Sequence, residues 1–186
     1  RLFLFGSRDI WFVVGLPVFL SASLEWSHPQ VGGFLALWVI AYGFVQSIAP
    51  NLLKRSLTGG TPRGGTASLG AFSLAILTGF IAVGVQIGLS PWLTVVTGLV
   101  LFGLLFAVNS SVHSYLILAY SDNDKVALDV GFYYMANAAG RLVGTLLSGL
   151  VFQTAGLTGC LWVSAIFVLI AGLISLRLPK GKDAQV

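Results

Sequence analysis

Six long apolar segments dominate this chain of 186 residues. The hydrocarbon core of a bilayer requires about 20 predominantly apolar residues per helix, and each segment reaches that length. The segments are residues 2–24, 30–50, 66–88, 92–118, 128–153 and 157–178. Charged residues make up 9% of the chain, against about a quarter in soluble domains, so too few remain to cover a water-facing surface. The pattern predicts an all-α membrane protein with six transmembrane helices.

The basic residues predict which way these helices run. Most of the ten Lys and Arg residues lie at alternate connections and at the two ends. They are Arg1, Lys54, Arg55, Arg63, Lys125, Arg177, Lys180 and Lys182. Because positively charged loops stay in the cytoplasm, we expect both ends there, with residues 1–178 forming the membrane domain and 179–186 a cytoplasmic tail. Membrane orientation thus explains the net charge of +4 without nucleic-acid binding.

Two pairs of glycines predict where helices approach each other closely. Gly140 and Gly144 are four residues apart, as are Gly84 and Gly88. Small residues at this spacing let two helix backbones meet, which matters in lipid because the hydrophobic effect does not drive helices together there. We therefore expect a helix interface at each pair.

Arg141 lies near the middle of the fifth apolar segment, where a charged side chain costs roughly 2.5–3.5 kcal/mol and needs a partner or a function. Tyr133, Asn137 and Arg141 share one face at helical spacing. One interpretation is a wall of a central cavity, with the guanidinium fork of Arg141 binding a phosphate or carboxylate. The other is a salt bridge between helices. Both remain open from the sequence.

Arg8 and Asp9 lie inside the first segment. Adjacent side chains on a helix point about 100° apart, so we expect these two to face different places. Arg8 is then a second candidate for binding an anion, and Asp9 a candidate for carrying a proton or for neutralising an arginine of another helix. A buried ion-pair network that only orients helices is the alternative.

Asn109 and His113 lie four residues apart in the fourth segment, within its one strongly polar stretch. They share a helical face, which makes Asn109 a candidate substrate contact and His113 a candidate proton-coupling group. A histidine with a purely structural hydrogen bond is the alternative for His113.

The common catalytic and cofactor-binding motifs are missing from this sequence. It contains no HExxH, GxSxG, Walker A or GxGxxG pattern and no cluster of Cys and His, so metalloproteases, serine hydrolases, nucleotide-driven pumps and dinucleotide-binding enzymes lack their usual residues. We therefore expect no enzyme activity, no cofactor and no metal site. The single cysteine, Cys160, offers no disulfide or redox pair.

Six helices with both ends in the cytoplasm match one half of a major facilitator transporter, whose two six-helix halves surround a central site. The segment Asn137–Gly149 resembles the eleventh helix of that superfamily. The resemblance implies that this chain supplies helices seven to twelve. We expect it to be a fragment of a longer protein, because it does not begin with Met, and to work with the N-terminal six-helix half of the same protein.

Three stretches resemble a narrower group, the ArsJ-type organoarsenical efflux permeases. They are residues 1–14, residues 31–43, and residues 106–116 together with 128–137. The resemblance implies a permease of the bacterial inner membrane that confers arsenate resistance by exporting an arseno-phosphoglycerate. It also implies a functional link to glyceraldehyde-3-phosphate dehydrogenase, which forms this compound when it uses arsenate in place of phosphate. Such a substrate is a small anion, and Arg8 and Arg141 suit its charge.

Two other functions remain as alternatives. A proton-coupled multidrug exporter of the same superfamily commonly binds apolar cations through buried acids, and Asp9 is the one clear mid-span acid here. A membrane assembly subunit would instead place its polar face against a partner protein.

Overall fold

The computed structural model describes residues 1–56, 64–121 and 124–178, and within them the chain is almost entirely helical. The helices are α1 (Leu2–Phe12), α2 (Gly15–Ser23), α3 (His28–Ser56), α4 (Gly64–Gln86), α5 (Pro91–Tyr120) and α6 (Val126–Ser175). The predicted tail, residues 179–186, lies outside the described residues, as do Arg63, Lys180 and Lys182.

Helix α6 contains two membrane crossings. Its 50 residues would extend about 75 Å as a straight helix, more than twice the thickness of a bilayer core. Gly156 interrupts it with φ 62° and ψ −162°, backbone angles that only glycine adopts at little cost. We call residues 126–155 the first arm of α6 and residues 157–175 the second arm.

Contacts with α1 show that the chain reverses direction at Gly156. Along the first arm, Gly140 lies against Leu2 and Gly144 against Gly6, so the two helices run parallel. Along the second arm the order is inverted: Ser164 bonds to Ser7, and Cys160 lies closer to Gly15. The second arm therefore runs back across the membrane.

The prediction of six transmembrane helices is confirmed. Five helical stretches among the described residues are long and apolar enough to cross a membrane: Leu2–Ser23, His28–Asn51, Gly64–Gln86, Pro91–Tyr120 and Val126–Ser175. The last one crosses twice, which gives six crossings. Near the chain start, Arg1 lies in a cavity with Tyr120 at the end of α5 and Leu178 just after α6. The described beginning and end of the bundle therefore lie on the same side.

The first predicted segment, residues 2–24, is broken into α1 and α2 at Val13 and Val14. Pro17 explains the break, because its ring obstructs the carbonyl four residues earlier and it has no N–H to donate. The hydroxyl oxygen of Ser148 accepts hydrogen bonds from the backbone N–H groups of Val14 and Gly15, each at 3.2 Å. A side chain from α6 thus replaces hydrogen bonds that the interrupted helix cannot make.

The second predicted glycine pair is confirmed only at Gly84, where a Cβ atom would lie 2.8 Å from Thr94 Cγ2 of α5, and is wrong at Gly88. α4 ends at Gln86, and Gly88 follows it with φ 74°. The Leu89 N–H donates to the Gly84 carbonyl at 3.0 Å, and the Gly88 N–H donates to the Val85 carbonyl at 3.2 Å. This is the Schellman pattern of a helix end. Gly88 therefore ends the helix and does not line a helix interface.

Candidate substrate-binding site

The predicted interface at Gly140 and Gly144 is confirmed, and its partner is α1. A Cβ atom on Gly144 would lie 2.6 Å from the carbonyl oxygen of Gly6 and 3.0 Å from the Cβ of Asp9. A Cβ atom on Gly140 would collide with the Leu2 carbonyl. Glycine at both positions lets the first arm of α6 and α1 touch along their backbones. Because Gly144 has no side chain, Asp9 fits between the two helices.

Asp9 joins two arginines from two helices. Its Oδ1 atom accepts from Arg8 Nε at 2.7 Å and lies 2.6 Å from an Arg8 terminal nitrogen. Its Oδ2 atom accepts from Arg141 Nε at 3.2 Å. The Asp9 side chain is 2% exposed, so the carboxylate is buried with both of its oxygens engaged. We call Arg8, Asp9 and Arg141 the charged cluster.

The expectation that Arg8 and Asp9 face different places is wrong. The Cα–Cβ bonds of neighbouring helical residues do diverge, but the long stem of arginine lets its guanidinium turn back to the adjacent carboxylate. The expectation that Asp9 neutralises an arginine of another helix is confirmed, because Arg141 belongs to α6.

The charged cluster keeps an excess of positive charge. Two guanidiniums share one carboxylate, and the two arginines differ in access. The Arg8 side chain is 13% exposed and its guanidinium carbon lies 5.4 Å from the centre of the Phe5 ring. The Arg141 side chain is 63% exposed, and among the described residues its bond to Asp9 uses only Nε. Its two terminal nitrogens are therefore available to bind an anion as a fork.

Asn137 and Tyr133 lie on the same face of α6 as Arg141, about one and two turns nearer its start respectively. The Tyr133 hydroxyl shares a hydrogen bond of 2.7 Å with the hydroxyl of Ser114 on α5. The Asn137 side-chain oxygen is buried, and no described residue bonds to it. The predicted polar face is therefore real, and it extends from the charged cluster towards the end of the bundle where α6 begins.

The position of Arg1 was not predicted from the sequence. We counted it with the loop charges, yet its guanidinium lies between the Phe5 ring at 4.4 Å and the Tyr133 ring at 4.3 Å. It donates to the backbone carbonyl of Ser110 at 3.1 Å and to the Ser114 hydroxyl at 3.3 Å. The signal in the sequence was the group of serines on α5, Ser110, Ser111 and Ser114. They offer hydrogen-bond acceptors to a cation between the helices.

Asn109 and His113 do not touch the charged cluster. Asn109 is 1% exposed and packs against Gly70 of α4, where a Cβ atom would lie 2.6 Å from its Oδ1. Neither its oxygen nor its nitrogen has a partner among the described residues. His113 lines a separate cavity together with Arg1 and Tyr133. Their roles in substrate binding and proton coupling stay predictions.

The described residues contain no group of three or more His, Cys, Asp and Glu side chains placed to hold a metal ion. Cys160 is buried and its sulfur contacts the Ser148 carbonyl at 3.7 Å. This places it as a packing group between the two arms of α6.

A comparison with protein-family models matches residues 2–185 to the Major Facilitator Superfamily. The chain belongs to this superfamily. It is therefore a multi-pass membrane protein of a family of secondary transporters. Members of the major facilitator superfamily are typically not enzymes. Searches of the curated proteins and of the solved structures find no match.

The break in the first span is a feature that many secondary transporters share. Substrate sites in secondary transporters lie near the bilayer midplane and typically involve interrupted helices. Here the interruption at Val13 and Val14 follows Arg8 and Asp9 by about one turn. Arg141 lies halfway along the first arm of α6. The charged cluster therefore lies within two apolar spans and close to the interruption of the first one.

Proposed function

We propose that this chain is the C-terminal half of a transporter that exports a small anionic organoarsenical, an arseno-phosphoglycerate, and so confers arsenate resistance. The observation that carries the proposal is the charged cluster, in which two arginines share one buried carboxylate. The resemblance of three stretches to the ArsJ-type permeases supports the arsenical substrate.

The proposal requires a binding step in which the substrate competes with Asp9 for the arginines. Arg141 engages Asp9 through a single bond of 3.2 Å and keeps two terminal nitrogens for an incoming oxyanion. Arg8 holds Asp9 through two shorter contacts. Arg141 is therefore the first contact for the substrate, and Arg8 keeps the carboxylate in place.

The proposal includes a cellular arrangement. The transporter lies in the bacterial inner membrane with both ends of this chain in the cytoplasm, and an N-terminal six-helix half covers the exposed side of Arg141. Glyceraldehyde-3-phosphate dehydrogenase supplies the substrate. An exposed arginine at the middle of a membrane helix supports the covering half, because contact with lipid would be costly there.

The charge of the charged cluster favours an anion over the cationic substrates of a multidrug exporter. Asp9 is the one acid within the described spans away from their ends, and two arginines already neutralise it. A cation would have to displace both arginines to reach the carboxylate. Asp9 is buried within this chain, so it does not form part of a charged surface for another protein. This burial argues against a membrane assembly subunit that docks through its charged face.

Transport into everted membrane vesicles tests the proposal. Vesicles carrying the full-length transporter are incubated with glyceraldehyde-3-phosphate dehydrogenase, its substrates and arsenate, and the arsenic taken up is measured by mass spectrometry. We expect Arg141→Ala to lower the uptake rate about ten-fold or more, since a hydrogen bond to a charged group contributes about 1.5–3 kcal/mol. Arg141→Lys should recover only part of the rate, because lysine keeps the charge without the fork.

Arg177→Ala is the matched control, because Arg177 is an exposed arginine beyond the end of α6. It should leave uptake unchanged. All variants are compared at equal amounts in the membrane by immunoblot. Uptake at the wild-type rate by both Arg141→Ala and Arg8→Ala would show that the charged cluster does not bind the substrate.

A further inference from the structure

Arg8 is the more buried arginine of the charged cluster, yet it does not have a carboxylate to itself. Its side chain is 13% exposed, against 63% for Arg141. Both guanidiniums bond to the one carboxylate of Asp9. A buried charge that is only partly neutralised needs further electrostatic stabilisation. The side chains around Arg8 therefore have to supply it.

Two phenylalanine rings lie against the guanidinium of Arg8. Its carbon lies 5.4 Å from the centre of the Phe5 ring and 5.6 Å from the centre of the Phe106 ring. Both distances are within the range of about 6 Å over which the negative face of an aromatic ring attracts a cation. Phe5 precedes Arg8 by three residues on α1, so helical spacing accounts for that contact. Phe106 belongs to α5, so its contact with Arg8 depends on how the helices pack.

The Phe106 ring is held in place by rings from three helices. It is fully buried. Phe5 of α1 meets it at 5.4 Å between ring centres with the planes at 71°, and Tyr42 of α3 lies 5.9 Å away. Phe102, about one turn earlier on α5, stacks on it at 5.5 Å. In a close-packed interior the Phe106 ring cannot turn away from Arg8 unless these neighbours move.

We propose that Phe106 is a positioning residue of the charged cluster, whose ring holds the guanidinium of Arg8 against Asp9 so that Arg141 stays available to the substrate. The carboxylate is the physical link. Arg8 Nε is fixed 2.7 Å from one oxygen of Asp9, whereas Arg141 Nε lies 3.2 Å from the other. Weaker fixation of Arg8 would leave more of the carboxylate charge to Arg141, and the substrate would then compete for a guanidinium that is bound more tightly. Because this role rests on the proposed function, its effects on stability and on transport are measured separately.

Fluorinated phenylalanines at position 106 of the full-length transporter test whether the ring holds Arg8. Each added fluorine withdraws electron density from the ring face and so weakens its attraction for a cation, while the size of the ring changes little. Thermal denaturation in detergent is measured for the series from none to three fluorines. We expect Tm to fall stepwise by about 2 °C in total. The same series in the Arg8→Met background should leave Tm unchanged, and an equal fall there would overturn the role.

Phe102 is the matched control for this series. It is also a fully buried residue of α5, and it contacts two aromatic rings, those of Trp11 and Phe106. In the part of the chain that the structure describes, the cations that face aromatic rings do not lie over Phe102. Fluorination there changes ring–ring contacts alone, and we expect no stepwise fall in Tm. Equal falls at the two positions, or none at position 106, would overturn the positioning role even if Arg8→Met does not fold.

Uptake into everted vesicles measures the effect on transport. Three fluorines at position 106 should raise KM for the arsenical about three-fold and leave Vmax unchanged, because Arg141 becomes less available. A merely structural role would lower the amount of active transporter and hence Vmax. A KM that does not change with fluorine number would overturn the positioning role, whereas a loss of uptake in Arg141→Ala would still support the proposed function. If the parent protein takes up no arsenical, the proposed function fails, and the two Tm series decide whether Phe106 holds Arg8.

Discussion

The span Leu2–Ser23, which begins with α1, and helix α3 are both apolar enough to cross a membrane. α1 and α3 both contain glycine and serine, yet they differ in their surroundings. In the most apolar part of the span that contains α1, 44% of the residues are buried, against 11% for α3. α1 lies between the two arms of α6, whereas α3 packs mainly on α5, for example through Trp38, which donates from its ring N–H to the Leu99 carbonyl at 3.0 Å.

The difference between α1 and α3 shows how small residues act in a membrane bundle. Gly6 of α1 meets the backbone of α6, because a Cβ there would lie 3.0 Å from the Gly140 carbonyl. Gly32, Gly33 and Gly43 of α3 face open space. Small residues permit a close approach only where another backbone is present. Substitutions at matched positions of the two regions test this difference.

Asp9→Asn should have the largest effect on stability. It removes the carboxylate from two guanidiniums, and breaking a buried ion pair on one side costs about 4 kcal/mol. Chemical denaturation of the full-length transporter in detergent measures the free energy of unfolding. Gln46→Ala on α3 is the comparison, because its amide makes one neutral bond of 3.4 Å to Ser110 and should cost about 1 kcal/mol. Equal losses would mean that the charged cluster does not hold α1 to α6.

Gly140→Ala should destabilise the protein by about 3 kcal/mol, because the added methyl group collides with the Leu2 carbonyl and backbone cannot move aside cheaply. The same denaturation measurement applies. Insertion in the membrane should be normal, since alanine is at least as apolar as glycine. A variant as stable as the parent protein would show that α1 and α6 are further apart than the structure places them.

Ser148→Ala should cost about 1.5 kcal/mol, because the Val14 and Gly15 N–H groups lose their acceptor in a place that water reaches poorly. Ser47→Ala is the matched control on α3. Among the described residues the Ser47 hydroxyl bonds only within its own helix, to the Phe44 carbonyl, so its removal should be close to neutral. An equal loss of stability in Ser47→Ala and Ser148→Ala would show that the bonds from Ser148 to the broken span contribute no more than a bond within one helix.

Gly33→Ala should have the smallest effect, within about 0.5 kcal/mol of the parent protein. A Cβ atom at this position of α3 meets no atom of the described part of the chain within 4 Å. A large loss of stability in the full-length transporter would show that another protein surface covers α3. Thermal denaturation of Gly33→Ala and Gly140→Ala side by side gives the comparison directly.

Parts of the candidate site were predictable from local spacing. Tyr133, Asn137 and Arg141 share a face because helical periodicity alone determines it. The pairing of Arg8 with Asp9 was not predictable in this way, since it depends on the conformation of a long side chain. The position of Arg1 was missed because a basic residue at the end of an apolar segment looks the same whether it faces water or turns into the bundle.

Three features follow from the chain alone: the six crossings, the alternation of basic connections, and the presence of Arg8, Asp9 and Arg141 within apolar segments. Composition and segment length are enough for these, because the bilayer imposes one length and excludes charge. Three others depend on how the helices pack: Asp9 joins α1 to α6, Ser148 completes the broken first span, and Arg1 lies beside a cavity. Each of these contacts joins residues more than 100 positions apart, and no local pattern in the chain encodes such a distance.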